Sequence, residues 1–247
     1  MDGGSGRPPL PPLHAGGRKR ITMKRLFLLH TMPFVLNTIS APLESELLEK
    51  YPDVEIQTML DTSLLADTMA AGRVTPVTAA RLLNYVREAE RAGASMLLLT
   101  CTSMGQGMAH VKEFSSLPTL CITDPLVAEA LDLGRRIGII GTVPTSPAQI
   151  VEPLMAEADG RGIPRDAITV VIDVVEAAFQ ARKAGDTAGH DRIVSEAIMR
   201  MARDNELDAI VLAQASMTGT VHDDPGVPVL KLGPSAFKAA GDMLAAM

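Results

Sequence analysis

The chain repeats part of its own sequence roughly 110 residues further on. Residues 25–33 (RLFLLHTMP) align with residues 136–144 (RIGIIGTVP), and residues 97–104 (LLLTCTSM) align with residues 210–217 (IVLAQASM). A third match pairs residues 118–122 with residues 228–232. Because the three matches keep the same order and nearly the same spacing, the sequence predicts two copies of one structural unit.

Short apolar runs alternate with helical patterns along both copies. The runs are continuous rather than alternating in polarity, which is typical of parallel strands covered on both faces. We therefore predict an α/β fold with two pseudo-symmetric parallel-sheet domains, in which chemistry is expected at the carboxyl ends of the strands. The predicted strands are Lys24–Thr31, Val54–Asp61, Ser95–Thr102, Pro118–Thr123, Arg136–Thr142, Ile168–Val175, Asp208–Ser216 and Val227–Gly233; the predicted helices are Pro76–Ala92, Asp124–Arg135, Ser146–Ala158, His190–Asn205 and Ser235–Ala246.

Composition and charge exclude several classes of protein. With 47% hydrophobic and 21% charged residues, the chain is globular rather than disordered. The formal net charge of −6 argues against a nucleic-acid partner. No run of 18 apolar residues is present, so we expect no membrane span and no membrane partner. The two cysteines lack the spacing of a disulfide framework or a zinc site, which fits a cytoplasmic protein.

Residues 1–22 are expected to form a disordered leader, because they combine Gly, Pro and basic residues without an apolar period. The basic run at residues 18–20, followed by apolar residues 26–29, resembles a signal peptide. The internal repeat argues against that interpretation, since it makes the apolar run the first strand of a unit.

Small polar residues follow the strands of both copies, where the carboxyl ends of parallel strands place binding sites. Backbone N–H groups at helix starts bind anions, and neighbouring hydroxyls add donors. If the two halves face each other, the sequence predicts a site for a small carboxylate between them. The candidate substrate-binding residues are Asn37, Thr102, Ser103, Thr145, Ser216 and Thr218.

Cys101 ends an apolar strand and begins a Thr-Ser-Met-Gly turn. A thiol near a helix amino-terminus has a lowered pKa, which suits a thiolate base or nucleophile. The alternative is a buried structural cysteine, and position alone does not decide between the two. Cys121 lies in the middle of a strand and is expected in the core.

The segments around Cys101 and Gln214, the turn at residues 141–145 (GTVPT) and the duplication resemble the aspartate/glutamate/hydantoin racemase superfamily, which includes maleate isomerase and arylmalonate decarboxylase. The resemblance covers about residues 23–247. It implies two similar α/β domains with the active site in the cleft between them, no pyridoxal phosphate and no metal. It also implies two cysteines on opposite faces of the substrate carbon, one removing a proton and the other returning one.

This chain departs from that pattern at one position, because Gln214 stands where the repeat places the counterpart of Cys101. An amide does not transfer protons usefully near neutral pH, but it can hold a carboxylate or carbonyl oxygen. Three reactions stay open: one-face chemistry such as decarboxylation, covalent addition by Cys101, or inversion with another acid. His222 and His30 are the candidate second acids, because histidine titrates near neutrality.

The resulting prediction is a cofactor-independent isomerase or racemase that acts on a carbon next to a carboxyl or carbonyl group of a small acid. The alternatives are a one-cysteine decarboxylase or lyase, and a non-catalytic binding protein for small carboxylates. We expect a homo-oligomer. The resemblance implies a first domain of residues 23–121 plus about 234–247 and a second of residues 122–233.

Other segments are expected to be structural. Met104 and Met217 recur at equivalent positions and should pack beneath the turns, and the charged stretch Glu176–Arg203 should be a solvated helix face. The segments Ser63–Arg73 and Thr218–Gly226 are expected to be loops that shape the pocket.

Overall fold

The computed structural model describes residues 23–247, and the predicted leader lies outside the described residues. The strands are β1 (Lys24–His30), β2 (Val54–Leu60), β3 (Met96–Leu99), β4 (Thr119–Cys121), β5 (Arg136–Gly141), β6 (Thr169–Val174), β7 (Ala209–Leu212) and β8 (Val229–Lys231). The helices are α1 (Ala41–Lys50), α2 (Thr62–Ala71), α3 (Pro76–Arg91), α4 (Gly105–Lys112), α5 (Asp124–Leu133), α6 (Ala148–Gly160), α7 (Glu176–Lys183), α8 (Thr187–Asp204) and α9 (Pro234–Ala246). A π-helical turn spans Val35–Ser40, and 3-10 turns span Thr102–Met104, Arg165–Ala167 and Ala215–Met217.

The strands form two sheets of identical topology. The first has the order β2-β1-β3-β4 and the second the order β6-β5-β7-β8. All pairings are parallel. Each strand of the first sheet thus has a counterpart at the same place in the second. The predicted fold class is confirmed, and the shared topology fits the predicted duplication.

Continuous apolar sequence explains the central strands. All four residues of β3 and all four of β7 are buried, as expected of strands covered on both faces. The edge strands β2 and β6 are only partly buried. The eight predicted strands are therefore all present, each ending one to four residues short of its predicted bounds.

One apolar core joins the two halves. It runs from the first sheet through α5 and α6 to one face of the second sheet, and it includes Leu98, Leu126, Leu154 and Val211. A smaller core lies under α7 and α8 on the other face of the second sheet. The carboxyl-terminal helix α9 packs against β1, β3 and β4, although the domain bounds themselves stay a prediction.

Two segments differ from the sequence expectation. Ser63–Arg73 was expected to be a loop, but most of it belongs to α2, whose first turn is capped by the Asp61 carboxylate accepting from the Ser63 N–H. The stretch Glu176–Arg203 was expected to be the solvated face of a helix. It forms two helices, α7 and α8, because Gly185 between them takes a φ of 83°. Within residues 23–247, no helix combines the length and apolarity that a membrane crossing needs.

Candidate active site

The two equivalent strand ends have the same local structure. Cys101 follows β3 with φ −126° and ψ 119°, and Gln214 follows β7 with φ −137° and ψ 143°. A 3-10 turn comes next in both halves, closed by the buried side chains of Met104 and Met217. The expectation that these methionines pack beneath the turns is confirmed. The repeat therefore places a thiol and an amide at corresponding positions.

The Cys101 thiol is buried at 6% exposure, and burial raises its pKa above the ordinary value. Hydrogen bonds from the Thr31 side chain and from the backbone of Ser103 and Met104 lower the pKa but do not cancel the effect of burial. The expected net lowering by the helix amino-terminus is therefore wrong in direction, because sequence position does not reveal depth of burial. These hydrogen bonds would nevertheless stabilise the negative charge of a Cys101 thiolate.

Gln214 is held by the residue that corresponds to Thr31. Its Oε1 accepts from the Thr142 backbone N–H at 2.5 Å and from the Thr142 hydroxyl at 2.9 Å. Each half thus pairs the threonine after its first strand with the residue after its third strand. Because Oε1 takes both bonds, the Nε2 amide group is the part of Gln214 left to donate to a ligand.

The other candidate substrate-binding residues are divided between two sides of the site. Thr102 lies near Cys101, where its hydroxyl contacts Gln149 Oε1 at 2.5 Å. Ser216 and Thr218 lie on the other side and line a cleft of about 380 Å³. Ser103 is half-buried in the turn after Cys101, while Asn37 and Thr145 are exposed after β1 and β5.

The two candidate second acids do not meet Cys101. His30 lies on the opposite face of the sheet, since its Nδ1 is 2.7 Å from the Thr100 hydroxyl whereas Thr31 bonds the thiol. Burial lowers the pKa of His30 to about 4, so the ring is neutral at pH 7 and does not suit an acid. His222 lies in the loop before β8, and its Nδ1 is 2.8 Å from the Asp223 carbonyl oxygen.

Cys121 is a core residue, as predicted. It is 1% exposed, and its thiol donates to the Cys101 carbonyl oxygen at 3.4 Å. Burial raises its pKa to about 12, with the Asp124 charge adding to the rise. Of the two thiols, Cys101 is therefore the less buried, and it accepts hydrogen bonds from Thr31 and the turn that follows it.

The 380 Å³ cleft lies between the two halves. Its first-half wall contains the segment from Phe34 to Glu46, and its second-half wall contains Arg182 and Asp191. The Arg182 guanidinium carbon is 4.8 Å from the centre of the Phe34 ring. Sequence reasoning placed Arg182 on a solvated face and missed it, because no motif marks a single arginine in a polar helix.

No group of three or more His, Cys, Asp or Glu residues within residues 23–247 is arranged to hold a metal ion. The side chains described at the carboxyl ends of β3 and β7 are the Cys101 thiol, the Gln214 amide and the hydroxyls of neighbouring Thr and Ser residues.

Comparisons with known proteins agree with this fold. The model of the family described as Asp/Glu/hydantoin racemase matches residues 44–240. Among curated proteins, no sequence matches significantly.

Solved structures of three enzymes or enzyme homologues share the fold at low sequence identity. An aspartate racemase homologue from Pyrococcus horikoshii has a TM-score of 0.69 at 14% identity, covering 90% of this chain and 100% of that chain. Allantoin racemase from Klebsiella pneumoniae has a TM-score of 0.58 at 17% identity, covering 90% and 88%. A glycine-to-cysteine mutant of arylmalonate decarboxylase has a TM-score of 0.56 at 19% identity, covering 90% and 93%.

Proposed function

Because the chain belongs to the Asp/Glu/hydantoin racemase family, we propose that it acts on a carbon next to a carboxyl or carbonyl group of a small acid, with Cys101 as thiolate base or nucleophile. The observation that carries the proposal is the position of Cys101 at the carboxyl end of β3, next to Thr31 and the turn N–H groups. No step of this chemistry requires a cofactor.

The proposed reaction begins when the Cys101 thiolate removes the proton on the carbon next to the carboxyl group. The resulting enolate carries negative charge on oxygen, which polar donors at the strand ends stabilise. The Gln214 Nε2 group and the turn N–H groups after Gln214 are the proposed donors, since the turn N–H groups after Cys101 donate to its thiol. A proton then returns to carbon from Cys101.

The substitution of glutamine for a second thiol favours chemistry on one face of the substrate carbon. Inversion needs a base and an acid on opposite faces, and the Gln214 amide does neither task near neutral pH. Decarboxylation followed by protonation from Cys101 needs only one such group. A one-cysteine decarboxylase or lyase is therefore the second candidate, and covalent addition by Cys101 is a third route for the same residue.

The test is proton NMR of the protein in D₂O with a panel of amino acids, hydantoins, hydroxy acids and substituted malonates. We expect loss of an α-proton signal, or a new product, that disappears with Cys101→Ala and persists with the matched control Cys121→Ala. Chiral analysis separates racemisation from exchange with retention. No reaction across the panel, with Cys101 also unreactive towards iodoacetamide, would favour the non-catalytic binding protein.

Gln214→Cys provides a second test, because it restores a thiol at the position that the repeat makes equivalent to Cys101. If the inherited geometry is intact, this variant should gain racemisation of a substrate that the wild type only exchanges. A variant that binds the same substrate but racemises no faster than the wild type would contradict the two-sided arrangement.

A further inference from the structure

A buried side-chain hydrogen bond joins the ends of β1 and β3 on the face of the first sheet opposite Cys101. His30 Nδ1 lies 2.7 Å from the Thr100 hydroxyl, and the two residues are 0% and 5% exposed. The Thr100 hydroxyl also donates to the Leu29 carbonyl oxygen at 3.3 Å. Both bonds form together only when His30 Nδ1 carries the ring proton and donates it. Because water is excluded, this bond is stronger than an exposed one.

The next residue along each strand belongs to the surroundings of the thiol. Thr31 follows His30 and Cys101 follows Thr100, so this second pair lies on the other face. There the Thr31 side chain hydrogen-bonds the Cys101 thiol. The separation of the two strand ends therefore decides how well Thr31 reaches the sulfur.

The second half forms the same strand ends without such a bond. The internal repeat aligns His30 with Gly141 and Thr100 with Ala213, neither of which has a polar side chain. The backbone bonds are nevertheless equivalent, because the Thr100 N–H donates to β1 at 3.0 Å and the Ala213 N–H donates to β5 at 2.9 Å. The carbonyl oxygens of His30 and Gly141 each accept from the residue after the edge strand, at 3.0 Å and 2.8 Å. The fold thus brings these strand ends together without the side-chain pair.

The two halves differ in the side chain that their threonine must reach. Gln214 Oε1 lies three bonds beyond Cβ and accepts two hydrogen bonds from Thr142. Cys101 Sγ lies only one bond beyond Cβ, so Thr31 contacts it only while the strand ends stay close. The half with the shorter side chain is the half that has the additional bond between its strand ends.

Stability of the core does not explain the histidine. His30 Nε2 is buried and has no hydrogen-bond partner among residues 23–247. A buried polar atom without a partner destabilises the folded state. The four residues before it, 26–29, are buried and apolar and avoid this cost.

We propose that His30 and Thr100 are positioning residues, whose hydrogen bond holds Thr31 within reach of the Cys101 sulfur. The pair acts through the two strand ends rather than by contact with the sulfur. A hydrogen bond to the thiolate favours the ionised form, so a well-placed Thr31 keeps the thiol pKa lower than burial alone would make it. The inference rests on the proposed role of Cys101, but its test measures the thiol and needs no substrate.

The test is the pH dependence of Cys101 alkylation by iodoacetamide in the full chain, measured between pH 7 and about pH 11. Mass spectrometry of the peptide that carries Cys101 gives the rate. The midpoint of the curve reports the thiol pKa, and the plateau at high pH reports access to the sulfur. Thr100→Val, which removes the hydroxyl, and His30→Leu, which removes the ring donor, should each raise the midpoint by about 0.5–1 pH unit. Alkylation at pH 7 should then be about three- to tenfold slower.

Two further variants separate positioning from general loosening of the sheet. His30→Asn keeps an amide group at the place of Nδ1 and should keep the wild-type midpoint. Thr119→Val is the matched control, because Thr119 is a buried threonine of β4 whose hydroxyl has no hydrogen-bond partner in the described part of the chain. It should leave both midpoint and plateau unchanged. Urea unfolding of each variant shows that it is folded.

An unchanged or lowered midpoint in Thr100→Val and His30→Leu would overturn the inference. An equal rise in Thr119→Val would also overturn it, because the effect would then follow from the loss of any buried hydroxyl. A rise in His30→Asn as large as that in His30→Leu would do the same, since the donor would not matter.

This test and the test of the proposed function fail separately. The expected midpoint shifts, in a protein that transforms no substrate, would leave the positioning role standing and overturn the proposed function. A reaction that depends on Cys101, with the midpoint unchanged in Thr100→Val and His30→Leu, would do the reverse.

Discussion

At Cys101, burial and hydrogen bonding act on one thiol in opposite directions, and burial prevails. A raised pKa means that the thiol is protonated at pH 7, so the reactive thiolate is a minor species that increases with pH. We expect alkylation by iodoacetamide, and the catalysed rate, to rise about tenfold per pH unit from pH 7 towards the thiol pKa. A rate that is already constant below pH 7 would show that the pKa is lowered instead.

Removing the Cys101 sulfur tests the same residue directly. Cys101→Ala should reduce the rate by about 10²- to 10⁴-fold, the usual contribution of a positioned base. Cys121→Ala is the matched control, because Cys121 is buried with a pKa of about 12 and should leave the pH profile unchanged. Equal losses from both variants would show that packing, rather than proton transfer, explains the effect.

Asp61 is a charged residue whose role is structural. Burial of its carboxyl group works to raise the pKa, but hydrogen bonds from Ser63, Tyr85 and Arg81 outweigh it and hold the pKa at about 2. The folded state therefore favours the ionised form relative to the unfolded chain. Its stabilising effect is complete above the unfolded pKa of about 4 and is lost as the pH falls towards 2.

Asp61→Asn should lower the free energy of unfolding by about 1–3 kcal/mol at pH 7, since it removes charge-assisted hydrogen bonds and the Arg81 ion pair. Urea unfolding at pH 7 and at pH 3 measures the effect, which should shrink at the lower pH. Asp159→Asn is the control, because its Arg165 partner and the carboxyl are both largely exposed. If Asp61→Asn lowers the free energy of unfolding equally at pH 7 and pH 3, the ionised carboxylate does not explain the effect.

At the scale of the elements, the buried side chains of Met201 in α8 and of Leu207 fill the space beside Gly138 in β5. A Cβ at Gly138 would lie 2.5 Å from Met201 Sδ and 2.8 Å from Leu207 Cδ1. Gly138→Ala should therefore destabilise the protein by about 1–3 kcal/mol, the usual cost of overpacking. Gly160→Ala, at the end of α6 with no atom within 4 Å of the new Cβ, should be neutral or stabilising in the same urea titration.

Strands were predictable from the sequence because a buried parallel strand is a continuous apolar run, as in β3 and β7. The helix α2 was not, because only Leu64 and Thr68 are buried in it and its apolar residues do not form a single helical face. Cys101 and the site hydroxyls could be proposed from position in the repeat. The place of Arg182 could not, since it depends on α7 packing near Phe34 in the other half.

At the scale of the whole molecule, the shared core makes the two halves dependent on each other. Leu154 belongs to α6 in the second half, is 0% exposed and lies in the same core as the first sheet. Leu154→Ala should cost about 2–5 kcal/mol and destabilise both halves together. Hydrogen exchange should show faster exchange of the slowest amides of β3 and of β7 alike; an effect confined to β7 would mean that the halves unfold separately.

Thr31 pairs with Cys101 in one half, and Thr142 pairs with Gln214 in the other. The two halves therefore share their backbone structure but differ in the side chain at this position. Two equal thiols would treat mirror-image substrates alike and drive them to a mixture. If Cys101 is the proton donor, as proposed, its position in one half only would deliver the proton to one face of the substrate. The handedness of the product would then report that the proton comes from the first half.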